Sequence, residues 1–192
     1  MTKELEFYFD FISPYAYLAH KKIQSLPSSI RTSYKPILLG GLHNLEGITA
    51  PAFIKSKLKN MINDCNLVAK KFNFNFKWND KFPLNSLNIM RGYFSVNSTI
   101  KDQYISTMFD AYWKNNLDIT DEKILITLLK NCKIDPDQFF ETIKEQMIKD
   151  KLKEATKDAH EKGIFGAPTF MINNQIFWGQ DRLEYALDEY SS

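Results

Sequence analysis

Near the start of the chain, Leu5, Phe7 and Phe9 are interleaved with Glu6, Tyr8 and Asp10. A period of two is that of a β-strand. The whole stretch from Met1 to Asp10 reads as acidic and strand-like. After Phe11-Ile12, Ser13-Pro14 has the chemistry of a helix start, a hydroxyl cap followed by proline at the first helical position. Tyr15, Leu18, Ala19, Ile23 and Leu26 then recur at helical spacing as far as Pro27. A second extended run covers about 31–38. Strand, helix and strand over this length predict a parallel βαβ unit, and Gly40-Gly41 is read as its end.

From about Pro51 to Trp113 the apolar period is helical. Leu58, Met61, Cys65, Val68 and Phe72 make one stripe, and Leu87, Met90 and Phe94 a shorter one after Pro83. Ile105, Met108, Phe109, Tyr112 and Trp113 make a third. Ile124, Leu125, Leu128, Leu129 and Cys132 follow Thr120-Asp121-Glu122, whose acids suit the positive end of a helix dipole. Asp135-Pro136-Asp137-Gln138 has the form of a capping box. It predicts one long helix through Phe139, Ile143, Met147, Leu152, Ala155 and Ala159, stopped at Gly163. These aromatic and methionine stripes are expected to be core.

Strands return at the end. Thr169 to Ile172 and Gln175 to Trp178 flank Asn173-Asn174, a pair that tolerates the positive φ of a tight hairpin. Gly179 follows, and Leu183, Ala186, Leu187 and Tyr190 form a closing helix. The order βαβ, helices, ββα describes a discontinuous α/β domain, 1–42 plus 156–192, interrupted by an inserted helical domain, 43–155.

The formal charge of +2 is the difference between 25 basic and 23 acidic residues, and the lysines are dispersed. That leaves no electrostatic footprint for nucleic acid. No stretch is long and apolar enough to span a bilayer, and no signal-peptide pattern opens the chain, so a cytoplasmic setting is expected. Cys65 and Cys132 are too far apart for a CxxC motif and are read as partly buried free thiols. His20, His43 and His160 lack ligand spacing, so no metal is expected.

Three places carry candidate chemistry. Ser13 is at the start of a helix that follows a strand, where backbone N–H groups attract anions. Its hydroxyl serves as a simple cap, or as a cap that also donates to a bound thiolate. Gly166-Ala167-Pro168-Thr169 precedes a strand; if the proline bond is cis, the Ala167 backbone is open to pairing with an extended peptide. In Gly179-Gln180-Asp181-Arg182, Gln180 and Asp181 are caps and Arg182 a surface partner, or Asp181 takes the ammonium of a ligand whose carboxylate meets backbone N–H groups.

Taken together, these segments resemble a known family. Phe9-Asp10-Phe11-Ile12-Ser13-Pro14-Tyr15-Ala16-Tyr17-Leu18 looks like the opening of the 2-hydroxychromene-2-carboxylate isomerases. The runs from Gly163 to Phe170 and from Phe177 to Leu183 resemble that family's two C-terminal motifs. Lys57, Asp64, Asn85 and Asp118-Ile119-Thr120-Asp121 fall at familiar positions between them. The family is related to kappa-class glutathione transferases and DsbA-like oxidoreductases. In the oxidoreductases cysteines stand where this chain has Ser13 and, nearby, Ala16. Dithiol exchange at that place is therefore excluded.

The resemblance implies a thioredoxin-like fold with a helical insertion, a cis Ala167-Pro168 bond, and glutathione as cofactor. It implies that Ser13 is catalytic, holding the glutathione sulfur as thiolate. It assigns the cysteinyl part to the Ala167-Pro168 backbone, the γ-glutamyl end to Gln180 and Asp181, and the glycyl carboxylate to Lys57, with Lys55 a near alternative. Tyr15 and Asn85 are the implied substrate contacts; Asn85 fits a helix cap equally well. One departure is Asn60, where the family often has tyrosine. The implied reaction is cis-trans isomerisation of 2-hydroxychromene-2-carboxylate, or a related unsaturated aromatic carbonyl compound, by reversible thiolate addition, in a homodimer. A kappa-like transferase and a non-catalytic thioredoxin-like peptide-binding module are the competing readings.

Overall fold

The computed structural model describes residues 3–192; Met1 and Thr2, the start of the strand-like stretch, lie outside the described residues. The alternating run becomes the central strand β1 (Leu5–Phe9), parallel to β2 (Thr32–Pro36) and antiparallel to β3 (Thr169–Ile172). With β4 (Gln175–Trp178) the sheet order is β2-β1-β3-β4. Asn173 and Asn174 make the hairpin turn at φ of 50° and 63°.

Apart from partly exposed Glu6, β1 is buried on both faces. Leu5, Phe7 and Phe9 enter one core with Tyr17, Phe109 and Phe170. Tyr8 enters a second core on the other face, with Ile37, Leu42, Ala159 and Met171. Asp10, on the polar register of the alternation, is fully buried too. Helices covering both faces of a sheet leave its middle strand dry, so alternation records only part of the burial.

Nine helices of two turns or so and longer are found among the described residues. α1 (Pro14–Ile23) joins β1 to β2 as expected. The Gly40-Gly41 pair does not end that unit: it lies inside α2 (Leu39–Glu46), which stops at Gly47 with φ of 67°. Glycine's weak helix propensity is overridden by packing, since Leu42 is buried and a Cβ at Gly41 would be 3.7 Å from the Thr156 methyl. Next come α3 (Lys55–Phe72), α4 (Leu87–Ser95), α5 (Lys101–Trp113) and α6 (Glu122–Asn131).

The long helix expected from Asp135 to Gly163 is two: α7 (Pro136–Thr142) and α8 (Gln146–Glu161). Phe139 and Ile143 are buried, but the stripe resumes at Ile148, Leu152, Thr156 and Ala159, leaving Met147 exposed. From Ile143 to Ile148 the spacing slips by one residue, about 100° of helix rotation. Two helices absorb what one straight helix cannot. α9 (Leu183–Ser191) closes the chain against β3 and β4 after a 3-10 turn, Gln180–Arg182.

The helical layer is locked by aromatic rings and by one tight crossing. Tyr104 of α5 donates to the Ile89 carbonyl of α4 at 2.7 Å. A Cβ at Gly92 would overlap the Tyr104 hydroxyl and approach Phe139 Cζ to 2.6 Å. Gly92→Ala, ordinarily favourable in a helix, is accordingly expected to destabilise by about 2–3 kcal/mol through overpacking. Chemical denaturation checks this; a stabilised variant would refute the crossing geometry.

Candidate active site

The turn between β1 and α1 is held from three directions. Phe11 offers its carbonyl to the Trp113 indole at 2.8 Å, tying the turn to α5. The Asp10 carbonyl accepts from Ser13 N at 3.0 Å. Asp10 Oδ1 accepts from Ile12 N at 3.1 Å and Oδ2 from Leu39 N, the first residue of α2, at 2.8 Å. The Ser86 hydroxyl, at the start of α4, also favours the charged form of this carboxylate. Burial pushes the Asp10 acid up to about 6, against the pull of these donors.

Ser13 caps α1 as its sequence predicts, Oγ accepting from Ala16 N at 3.1 Å. Its hydroxyl proton goes to the Ala167 carbonyl at 2.9 Å, across 154 positions of chain. Only 4% of Ser13 is exposed, so it is a buried hydroxyl whose hydrogen sits at the mouth of a helix. Pro14 has no N–H, Ala16 N–H is taken by Ser13 Oγ and Tyr17 N–H by Ser13 O; Tyr15 N–H has no acceptor among the described residues. One first-turn donor is thereby left for an anion.

The Ala167-Pro168 bond is cis, as the resemblance implied. The Pro168 carbonyl accepts from Gly179 N at 3.0 Å, and Gly179 has φ of 115°. Gln180 follows, buried, with its side chain against Lys22 of α1. Ser13, Ala167, Pro168 and Gln180 are thus joined by a continuous chain of bonds. Asp181 is exposed and paired with Arg182 at 2.9 Å. Its charge is felt at half-buried Tyr15, whose phenol is raised first by burial, then by Cys65, Asp64 and Asp181. Beside the proline loop, Phe165 and Trp178 pack at 5.0 Å, and a Cβ at Gly166 would meet Trp178 Nε1 at 2.8 Å.

Two expected residues are not drawn in. Lys57 is exposed in the first turns of α3, like Lys55 and Lys59, with no ion pair among the described residues. Asn85 is exposed, and its Oδ1 accepts from Leu87 N at 3.0 Å, which is the helix-cap alternative. Conversely, Asp10, Ser86 and Lys22 were not singled out from the sequence. Asp10 had one signal, a charge set between Phe9 and Phe11. Lys22 had none, being one lysine among many. Cys65 and Cys132 are free and buried, the Cys65 thiol being raised by burial. His20 is buried against Phe109, bonded to Tyr34 and Ser106, and held neutral near 3 by burial.

A serine at the head of a helix, facing a cis-proline loop across a four-stranded sheet with a large helical insertion, defines a thioredoxin-like protein without its dithiol. The chain belongs to the DSBA-like thioredoxin domain family, whose model matches residues 4–191. It is homologous to a 2-hydroxychromene-2-carboxylate isomerase of Sphingobium xenophagum, 28% identical over 99% of this chain and 98% of the relative. A kappa 1 glutathione S-transferase of Caenorhabditis elegans is 22% identical over 96% and 89%. Among solved structures, a 2-hydroxychromene-2-carboxylate isomerase superposes with a TM-score of 0.89, at 23% identity, over 98% of this chain and 94% of that one. The cytosolic disulfide reductase DsbM from Pseudomonas aeruginosa, solved with GSH, gives 0.68 at 13% identity over 97% and 95%. Family membership points to an enzyme of the thioredoxin-fold oxidoreductase and isomerase superfamily.

Proposed function

We propose that this protein is a glutathione-dependent isomerase acting on 2-hydroxychromene-2-carboxylate or a related unsaturated aromatic carbonyl compound. The observation that carries the reading is Ser13, a buried hydroxyl bonded to Ala16 N–H and the Ala167 carbonyl at the N-terminus of α1. Bound glutathione supplies a nucleophilic thiol for reversible addition to the conjugated double bond, so that it is a cofactor and is not consumed.

The chain's residues fit that cofactor. Ser13 has one proton and gives it to a neutral carbonyl; turning it toward a sulfur anion exchanges an ordinary hydrogen bond for a charge-assisted one. The Ala16 bond survives this turn, because there Ser13 is the acceptor. The Ala167 carbonyl then becomes free for a peptide N–H, the pairing expected of a cysteinyl backbone. Tyr15 N–H and the α1 dipole add positive potential at the same place. A free thiol near pKa ~8.5 must be lowered by about two units, about 2.7 kcal/mol, to be mostly ionised at neutral pH. A hydroxyl donor and a helix terminus together supply that size.

Gln180 and Asp181 are assigned to the γ-glutamyl end and Tyr15 to the aromatic substrate. Lys57 and Asn85 belong to the same reading for the glycyl carboxylate and the substrate rim, although both lie exposed. A reducing cytoplasm suits the free Cys65 and Cys132 and the supply of reduced cofactor. The helical domain is proposed as 43–155, inserted between 1–42 and 156–192, in a protein that works as a homodimer.

Time courses test the reaction. Isomerisation is expected to run for many turnovers with the free thiol titre unchanged. Glutathione lost in step with product would instead establish the transferase reading, and absence of glutathione binding would favour the peptide-binding module.

A further inference from the structure

Lys22 leaves the last turn of α1 and reaches across to the loop after Gly179. Its Nζ donates to Gln180 Oε1 at 2.6 Å and to the Gln180 carbonyl at 3.0 Å. The ammonium also lies 4.3 Å from the centre of the Phe72 ring. Burial lowers the pKa of this ammonium, with Glu184 and Asp181 opposing that and Lys71 adding to it.

This pairing settles an ambiguity in Gln180. A side-chain amide presents an acceptor oxygen on one side and a donor NH2 on the other, and the two are assigned from their neighbours. An ammonium has three donors and no acceptor, so only the oxygen can face Lys22. Nε2 is consequently on the other side. It has no acceptor among the described residues and is not sealed from solvent. The next residue, Asp181, is a carboxylate with side-chain exposure of 58%.

The structure assigns Lys22 as a positioning residue that locks the Gln180 amide nitrogen-outward, making this turn selective for a ligand that carries a carboxylate beside an ammonium. The NH2 meets the carboxylate and Asp181 the ammonium. The second bond, to the Gln180 carbonyl, holds the loop at the height of the Ala167-Pro168 backbone. The inference rests on the glutathione reading and deepens it: the γ-glutamyl α-amino acid is the part selected, and Lys22 sets that selection without touching the ligand.

Calorimetric titration of the full chain with glutathione and with cysteinylglycine, which lacks the γ-glutamyl group, separates the possibilities. Wild type is expected to prefer glutathione. Lys22→Met should weaken glutathione by about tenfold, the loss of an oriented hydrogen bond to a charged group, and leave cysteinylglycine unchanged. Lys22→Arg should recover most of the preference. Gln180→Glu keeps an acceptor for Lys22 but turns an oxygen outward; it should fold as wild type and lose the preference altogether. Should Lys22→Met fail to fold, Gln180→Glu decides alone. An unchanged preference in Gln180→Glu, or an equal loss for both ligands in Lys22→Met, overturns the assignment while the glutathione reading stands. Wild type binding neither ligand overturns both.

Discussion

Replacing Ser13 by alanine is expected to lower glutathione-dependent turnover by about 10²-fold while the protein still folds. Ser13 performs three tasks through one oxygen: it caps α1, ties the turn to the Ala167 carbonyl, and offers a side-chain proton at that helix end. The cap is worth about 0.5–2 kcal/mol. For a chain of this size that is a fall in Tm of about 1–8 °C. The larger loss is electrostatic. Without the hydroxyl, the cofactor thiol drifts back toward pKa ~8.5 and is a few per cent ionised at neutral pH. The pH profile distinguishes this from simple damage: residual activity in Ser13→Ala should rise with pH toward the free-thiol value. Wild-type turnover in the variant would refute the role given to Ser13.

The second large effect concerns Asp10. Asp10→Ala leaves Ile12 N–H and Leu39 N–H without their acceptor, at about 1–3 kcal/mol for each group. A loss on the order of 2–6 kcal/mol is expected, a large share of a domain's stability. The pH dependence has an unusual sign for a carboxylate. Its acid is raised to about 6 in the folded chain by burial, above the ~3.9 of an unfolded aspartate. Between those values the folded state binds the extra proton. The stability owed to Asp10 is therefore present below ~3.9 and lost as pH rises through about 6, to the extent of roughly 3 kcal/mol. Asp10→Asn removes the titration but has one acceptor oxygen for two backbone donors, so the two changes nearly offset at neutral pH. Denaturation of wild type and Asp10→Asn from pH 4 to 7 isolates the group, since all other titrations are shared. Parallel curves would show that Asp10 is not held as described.

Much of this was legible beforehand, for identifiable reasons. Ser13-Pro14 is a local signal, a hydroxyl and a missing N–H at consecutive positions, and it placed the start of α1 to the residue, although the helix ends at Ile23 rather than near Pro27. Asn173-Asn174 is equally local, because few side chains accept left-handed backbone, and it placed the hairpin. What stayed hidden depends on neighbours distant in sequence. No glycine or proline marks the break between α7 and α8; only the slip from Ile143 to Ile148 does, and that slip has meaning once α4 and the sheet are there to pack against. Gly40-Gly41 reads as a breaker until α8 lies beside it. Within the site, Ser13, Ala167 and Gln180 stood out by local chemistry and then by motif resemblance, whereas Lys22 is indistinguishable from any solvated lysine until the fold sets it against a residue 158 positions away.

The placement of the three tryptophans has an optical consequence. Trp113 is wholly enclosed and Trp78 packs edge-on against it, so their emission belongs to the interior. Trp178, at 55% exposure, stands over Gly166 with its indole in water. On the proposed reading, glutathione settling along the neighbouring backbone would strip solvent from that single ring and leave the other two undisturbed, so the chain would carry its own fluorophore at the proposed site.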